Sequence, residues 1–373
     1  MLLFDKSNLS KRYTMKILTF DQLQDRLETP EVLNLAIEAN QYLAELKGVV
    51  KSIPNETILI STLSLQEAQD SSEIENIITT QDALLKYRLQ GRAKDLAVKE
   101  VSNYADGLIA GYEQIRQTGL IRTNTILQIQ EILEGNRAGF RKTPGTVLRN
   151  ENTGETIYTP ASPEHLPQLM HDLQILIHDQ KSTLNSLIKM AIIHHHFESI
   201  HPFYDGNGRT GRIINVLYLV KEGLLDSPVL YLSRYINQSK ERYYEALQWV
   251  RESEDWQSWV CYILKGVALT AKHGIKFVSS INTLLREHKH HIRNGHRFYS
   301  QDLLNHIFKL PYTKAAFLEK DLNVSRTTAL SYLDSLVTSG ILEKAKLGRE
   351  HYYFNSALVR LLFNPAPLSP TAS

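Results

Sequence analysis

The sequence predicts a mainly α-helical protein with one short β-hairpin near its middle and a smaller, separate unit at its C-terminal end. Three observations predict it. Apolar residues recur three and four positions apart over most of the chain. Only two stretches have the texture of strands. Helix-ending signals, such as Gly223 followed by Pro228, punctuate the periodic segments.

Over residues 16–120, Phe20, Leu23 and Leu27, then Leu33, Leu35, Ile37, Leu43 and Leu46, mark successive amphipathic helices. Asn55 precedes another periodic segment, and Asp70-Ser71-Ser72 reads as its end, followed by a freshly capped short helix over residues 73–78. Residues 140–163 change texture: Thr143-Pro-Gly145, Val147, a polar run to Gly154, then Ile157 and Tyr158 suit two strands joined by a turn. Helical periodicity returns over 184–200, a glycine-rich loop follows, and 212–225 continues as an apolar helix. Residues 229–290 read as mainly helical. Beyond Phe298 the pattern resets to three helices (303–308, 313–322, 325–339) and an alternating stretch over 341–354 with Gly348 at its turn, an order that resembles a winged helix-turn-helix. The Pro/Ser-rich tail 364–373 reads as disordered. The expected organisation is therefore an N-terminal helical region over 1–110, a core over 111–275, a winged-helix-like domain over 276–363 and a tail.

With 373 residues the chain suggests two or three compact units. An apolar share of 42% and a charged share of 22% argue against disordered, collagen-like and coiled-coil classes. A net charge of +2 nominates neither a polyanion nor a membrane surface as partner. Cys261 is the single cysteine and has no intramolecular partner, which points to a reducing cytoplasm. No apolar run approaches the ~20 residues of a membrane-spanning helix, and the first residues lack a secretory apolar stretch, so a soluble, unexported protein is expected.

Chemistry concentrates in His201-Pro-Phe-Tyr-Asp-Gly-Asn-Gly-Arg-Thr-Gly-Arg212. Its glycines and arginines fall at the predicted start of a helix, where unpaired N–H groups and the positive end of the dipole attract phosphate. Gly206, Gly208 and Gly211 let a phosphate approach the backbone, with Asn207 and Thr210 between them. Arg209 and Arg212, three apart, share a helical face and suit successive phosphates. Asp205 supplies a hard oxygen of the kind magnesium takes together with substrate phosphates. His201 has an intrinsic pKa suited to a general base that removes a hydroxyl proton. ATP with Mg2+, and phosphoryl or nucleotidyl transfer, is the chemistry these parts make.

This segment is similar, at every defined position, to the signature of the Fic family, His-Pro-Phe-x-Asp/Glu-Gly-Asn-Gly/Lys-Arg-x-x-Arg. The resemblance implies a Fic-type helical core in which His201 is the base and Asp205 the magnesium ligand. It further implies that Gly206, Asn207 and Gly208 bind phosphate, that Arg209 contacts the β-phosphate and that Arg212 contacts the γ-phosphate. Upstream, Ser71-Ser-Glu-Ile-Glu75-Asn76 resembles the family's inhibitory pattern, which implies that Glu75 pairs with Arg212. The hairpin at 140–163 looks like the family's flap, which holds a target segment by strand addition, and 237–244 resembles the wall of the nucleotide pocket, with Tyr244 placed to stack on adenine. The implied activity is autoinhibited transfer of AMP from ATP to Tyr, Ser or Thr hydroxyls of a protein target, self-modification included. The alternatives are AMP removal or phosphotransfer on the same fold, or a DNA-binding regulator whose Fic-type core senses nucleotide.

Plainer readings compete. Ser72-x-x-Glu75 is also a capping box that needs no distant partner. His194-His-His196 cannot hold one metal ion if helical, because consecutive side chains diverge. In the C-terminal region, seven Lys/Arg against six Asp/Glu over 300–355 give a net of +1. That is too little for a basic stripe, so DNA contact ranks below protein docking or a homodimer.

Overall fold

The computed structural model describes residues 16–53, 56–90, 95–149, 154–347, 350–363 and Leu368. Asn55, the centre of the predicted flap turn, Gly348 and all of the predicted tail except Leu368 lie outside the described residues. The N-terminal third is formed by α1 (Phe20–Leu27), α2 (Pro30–Val50), α3 (Thr57–Ile74), α4 (Gln81–Gln90) and α5 (Leu96–Thr118). Next come α6 (Thr123–Glu134), the antiparallel pair β1 (Leu148–Arg149) and β2 (Thr156–Tyr158), α7 (Leu166–Ile177), α8 (Ser186–Ile200) and α9 (Asn207–Lys221). Then follow α10 (Ser233–Gln238), α11 (Lys240–Ser253) and the long α12 (Trp256–Gly295). The C-terminal part comprises α13 (Gln301–Lys309), β3 (Tyr312–Thr313), α14 (Ala315–Leu322), α15 (Arg326–Thr338), β4 (Glu343–Leu347), β5 (Glu350–Phe354) and α16 (Ser356–Phe363). Its strands form one antiparallel sheet in the order β3-β5-β4. The limits expected at 110 and 275 both fall inside continuous helices, α5 and α12.

Local signals explain the helix starts. Thr29 caps α2 with Pro30 in the first turn, and Asn185 and Asp255 accept from the first turns of α8 and α12. The apolar face of α2 differs from the set read in the sequence. Val32, Ala36, Ala39, Leu43, Leu46 and Val50 are buried, whereas Leu33 and Ile37 lie on the exposed side. Small alanines on the inner face suit close packing against α12, which runs along α2.

The predicted interruption at Asp70-Ser71-Ser72 does not occur: α3 runs unbroken to Ile74. Tertiary partners outweigh the weak local preference of these polar residues for a helix end. Glu67 accepts from the Tyr104 hydroxyl (3.0 Å) and the Ser233 backbone N–H (3.1 Å), and Asp70 accepts from Asn237 (3.3 Å). Gln66 donates to the carbonyl of Leu362 in α16. Glu75 consequently sits at the C-terminal end of α3, and the buried Ser72 hydroxyl has no hydrogen-bond partner among the described residues. The capping box is excluded, because Ser72 begins no helix.

Candidate nucleotide site

Every residue of α8 from Leu187 to Ile200 is buried, so its polar side chains all need internal partners. The three consecutive histidines find separate ones. His194 Nε2 meets the Tyr243 hydroxyl (2.9 Å), His195 Nε2 the Leu247 carbonyl (3.3 Å) and His196 Nε2 the Leu18 carbonyl (3.1 Å). Burial holds His194 and His196 near pKa 3 and 4.

His201 ends α8 in the left-handed region at φ 48°. Its carbonyl accepts from Arg141 Nε (2.9 Å), and the Arg141 backbone N–H donates to the Pro202 carbonyl (2.9 Å), so the reversal is clamped from outside the loop. Its buried Nδ1 has no hydrogen-bond partner among the described residues. Burial, then the cations Arg251 and Arg141, push its imidazole down to about 4. The ring is therefore neutral at pH 7, the form a general base requires.

The loop turns through Gly206, at φ 77°, where an added Cβ would strike Glu134 and Leu133. Asn207 does not offer its amide outward. It is buried, accepting from the Phe203 N–H (2.8 Å) and donating to the Phe203 carbonyl (2.9 Å), and thus staples the loop it begins. Gly208 lies beneath Glu75 and Arg212, leaving no room for a Cβ. Thr210 is wholly buried, and Gly211 faces Phe197 and Glu198 of α8, so these two pack the helix against its neighbour. Asp205 is exposed, accepting from the Gly206 N–H (2.6 Å) and from Arg209 Nη2 (3.4 Å).

Two buried arginines bracket the start of α9. Arg209 reaches Glu134 of α6 (3.0 Å), Glu100 of α5 (3.3 Å) and Asp205. Burial raises the Glu134 carboxyl, and Arg209 opposes that shift. Arg212 donates to the Ser71 hydroxyl (2.7 Å), the Ser71 carbonyl (2.8 Å) and Glu75 Oε1 (2.8 Å). Burial pulls the Arg212 pKa down, but Glu75, Tyr243, Tyr104 and Glu198 together outweigh it and hold the guanidinium above its ordinary value. Beside it, burial lifts the Glu198 carboxyl to about 7. The end of α3 also touches the 237–244 segment, where Lys240 donates to Asn76 (3.0 Å). Tyr244 lies nearby, half exposed, with its ring edge-on to Tyr243 at 5.2 Å.

The fold thus gathers His201, Asp205, Gly206, Gly208, Arg209, Arg212 and Glu75 around one helix start. Sequence reading missed Ser71 as an arginine ligand, and it missed Glu100, Glu134, Arg141, Glu198 and Arg251. Their spacing carries no motif, and only the packing of α3, α5, α6, α8, α11 and the segment before β1 brings them here.

Three family models match in succession: "Fic/DOC family N-terminal" over residues 33–113, "Fic/DOC family" over 120–219 and "Protein adenylyltransferase SoFic-like, C-terminal domain" over 284–358. The chain is similar to the Aquifex aeolicus protein named "Probable protein adenylyltransferase aq_aa38", 37% identical over 84 residues, 22% of this chain and 26% of that protein. It is also similar to "Protein adenylyltransferase Fic" of Aedes aegypti, 24% identical over 238 residues, 63% of this chain and 42% of that protein. Each match spans less than half of the relative's length. In fold it is similar to a Fic family protein from Desulfovibrio desulfuricans, with a TM-score of 0.55 and 21% identity over 87% of this chain and 96% of that one.

Proposed function

The chain belongs to the Fic family, and from that premise we propose that it transfers AMP from ATP to a hydroxyl side chain of a protein, under restraint by Glu75. The reading rests foremost on one observation: a half-buried imidazole held neutral, His201, adjoins the start of α9, whose first turns carry two buried arginines. The ATP phosphates lie along the N–H groups of residues 206–208, with Arg209 and Arg212 neutralising their charge. A target hydroxyl oxygen attacks the α-phosphorus in line. The bond from that phosphorus to the β-phosphate bridging oxygen breaks, pyrophosphate leaves with the bonding pair, and the hydroxyl proton passes to the His201 imidazole. Tyr244 contacts the adenine.

Asp205 suits magnesium, because its carboxylate is exposed at the lip of the cradle and the ion commonly takes one or two protein carboxylates beside phosphate oxygens. When bound, magnesium would screen phosphate charge. Strand β2 of the flap aligns the target segment by backbone pairing, as strand addition requires. In the resting protein Glu75 holds Arg212, so the γ-phosphate lacks its cation and the nucleotide lies unproductively. Cys261 is buried and its thiol is pushed up to about 11 by burial, which suits a reducing cytoplasm.

The test is incubation of the wild-type and Glu75→Gly proteins with ATP labelled on the α- or the γ-phosphate. Covalent α-label on protein is expected. Covalent γ-label alone would make the chain a phosphotransferase, and no label from either protein would overturn the reading.

A further inference from the structure

Arg251 of α11 is half-buried and forms no ion pair among the described residues, although withdrawing an unpaired cation from water is costly. Its bonds go to the last turn of α8, just before His201, and to Gln248 on its own helix. Its Nε donates to the Ser199 hydroxyl (3.3 Å), its Nη2 to the Glu198 carbonyl (3.4 Å) and its Nη1 to Gln248 (3.4 Å). The guanidinium lies 4.0 Å from the centroid of the Tyr158 ring, in β2. The Tyr158 hydroxyl in turn donates to the Ser199 carbonyl (3.0 Å), and Gln248 donates to the carbonyl of Ile157 (3.0 Å). Ser199, two residues before His201, is therefore held from the flap and from α11 together.

We propose that Arg251 is a positioning residue that fixes strand β2 in register with the last turn of α8, and thereby a target hydroxyl against His201. The proposal rests on the AMP-transfer reading. A second consequence follows from the charge. His201 is faced by Arg251 from α11, by Arg141 from the segment before β1, and by the Glu75 carboxylate at the end of α3. The two cations disfavour a proton on the ring and Glu75 favours one, while burial acts with the cations. Arg251 thus serves geometry through its planar fork and proton affinity through its charge.

Arg251→Gln and Arg251→Lys separate these roles, both made in the Glu75→Gly protein and checked for folding by circular dichroism. Self-labelling with α-labelled ATP is followed from pH 4 to 8, and the His201 ring is titrated by NMR with carbon-13 histidine, assigned by comparison with His201→Gln. Arg251→Gln should slow labelling about tenfold or more. It should also move the acid limb and the ring midpoint to higher pH, and hasten hydrogen exchange at residues 156–158. Arg251→Lys should slow labelling while leaving both midpoints in place. Slower labelling with unmoved midpoints in Arg251→Gln would reduce Arg251 to a packing residue and overturn the proposal. If Glu75→Gly takes up no α-label, the transfer reading fails; the ring midpoint and the exchange at 156–158 then still decide whether Arg251 acts on His201 and β2.

Discussion

Removing the Glu75 carboxylate should both loosen the protein and activate it. Arg212 is 2% exposed and Glu75 33%, and their 2.8 Å contact is a charge-assisted hydrogen bond that solvent reaches from one side. Such a bond contributes about 1.5 to 3 kcal/mol, and a γ-phosphate approaching Arg212 must displace it. At 1.4 kcal/mol per tenfold, Glu75→Gly should raise AMP transfer roughly ten- to hundredfold. Arg212 keeps both bonds to Ser71, so it stays in place to receive phosphate. Stability should fall by about 1 to 3 kcal/mol, since a buried guanidinium loses its carboxylate. The assay is the initial rate of α-label incorporation at saturating ATP, with the melting temperature measured in parallel. The double variant Glu75→Gly with Arg212→Ala should show no gain, because the freed cation is absent. A Glu75→Gly protein that melts earlier yet labels no faster than wild type would refute the reasoning and leave the pair purely structural.

Other perturbations have separate signatures. In the Glu75→Gly background, His201→Ala should lower transfer by about 10²- to 10⁴-fold while isothermal titration still finds ATP bound. Because the His201 pKa is depressed to about 4, the ring is protonated only as pH falls through that value. The acid limb of kcat/KM for the free enzyme should therefore lie near pH 4, and a limb near 6.5 would show that the buried charges do not act on the ring. Arg209→Ala strands the mostly buried Glu134 and Glu100 without their common cation, so it should cost about 3 to 5 kcal/mol in denaturant unfolding and weaken ATP binding as well. Asp205→Asn removes charge from an exposed position, so it should lower the magnesium dependence of labelling and leave the melting temperature unchanged.

Much of this architecture is legible in the chain because its signals are local. Three-and-four spacing marks α1, helical periodicity marks α8, and glycines 206 and 208 stand where backbone must turn or admit a close neighbour. Failures arise where a distant partner overrules a local rule. Asp70-Ser71-Ser72 carries an interruption signal, yet buried bonds from Asp70 to α10 and from Ser71 to Arg212 keep the helix intact. Asn207 suits phosphate in the motif, and the motif gives no sign that its side chain also bridges the Phe203 N–H and carbonyl. Glu100 and Glu134 lie 109 and 75 residues from Arg209, so no window along the chain contains the cluster.

The same distant bonds explain why the proposed restraint can reside in one carboxylate. If Glu75 alone anchored α3, removing it would free the helix and the 237–244 segment that α3 touches. Glu67 is instead held by Tyr104 and Ser233, Asp70 by Asn237, and Gln66 by the Leu362 carbonyl, all independent of Arg212. Burial lifts Glu67 to about 7 and Asp70 to about 6, each above its ordinary value. A carboxyl raised in this way stabilises the fold fully at acid pH, and that contribution is lost as pH rises through 6 to 7. Near pH 7 the α3 anchor is thus weaker than in acid, while Gln66, which does not titrate, still binds the Leu362 carbonyl. Losing Glu75 should therefore open the position beside Arg212 while these bonds keep the rest of α3 in place.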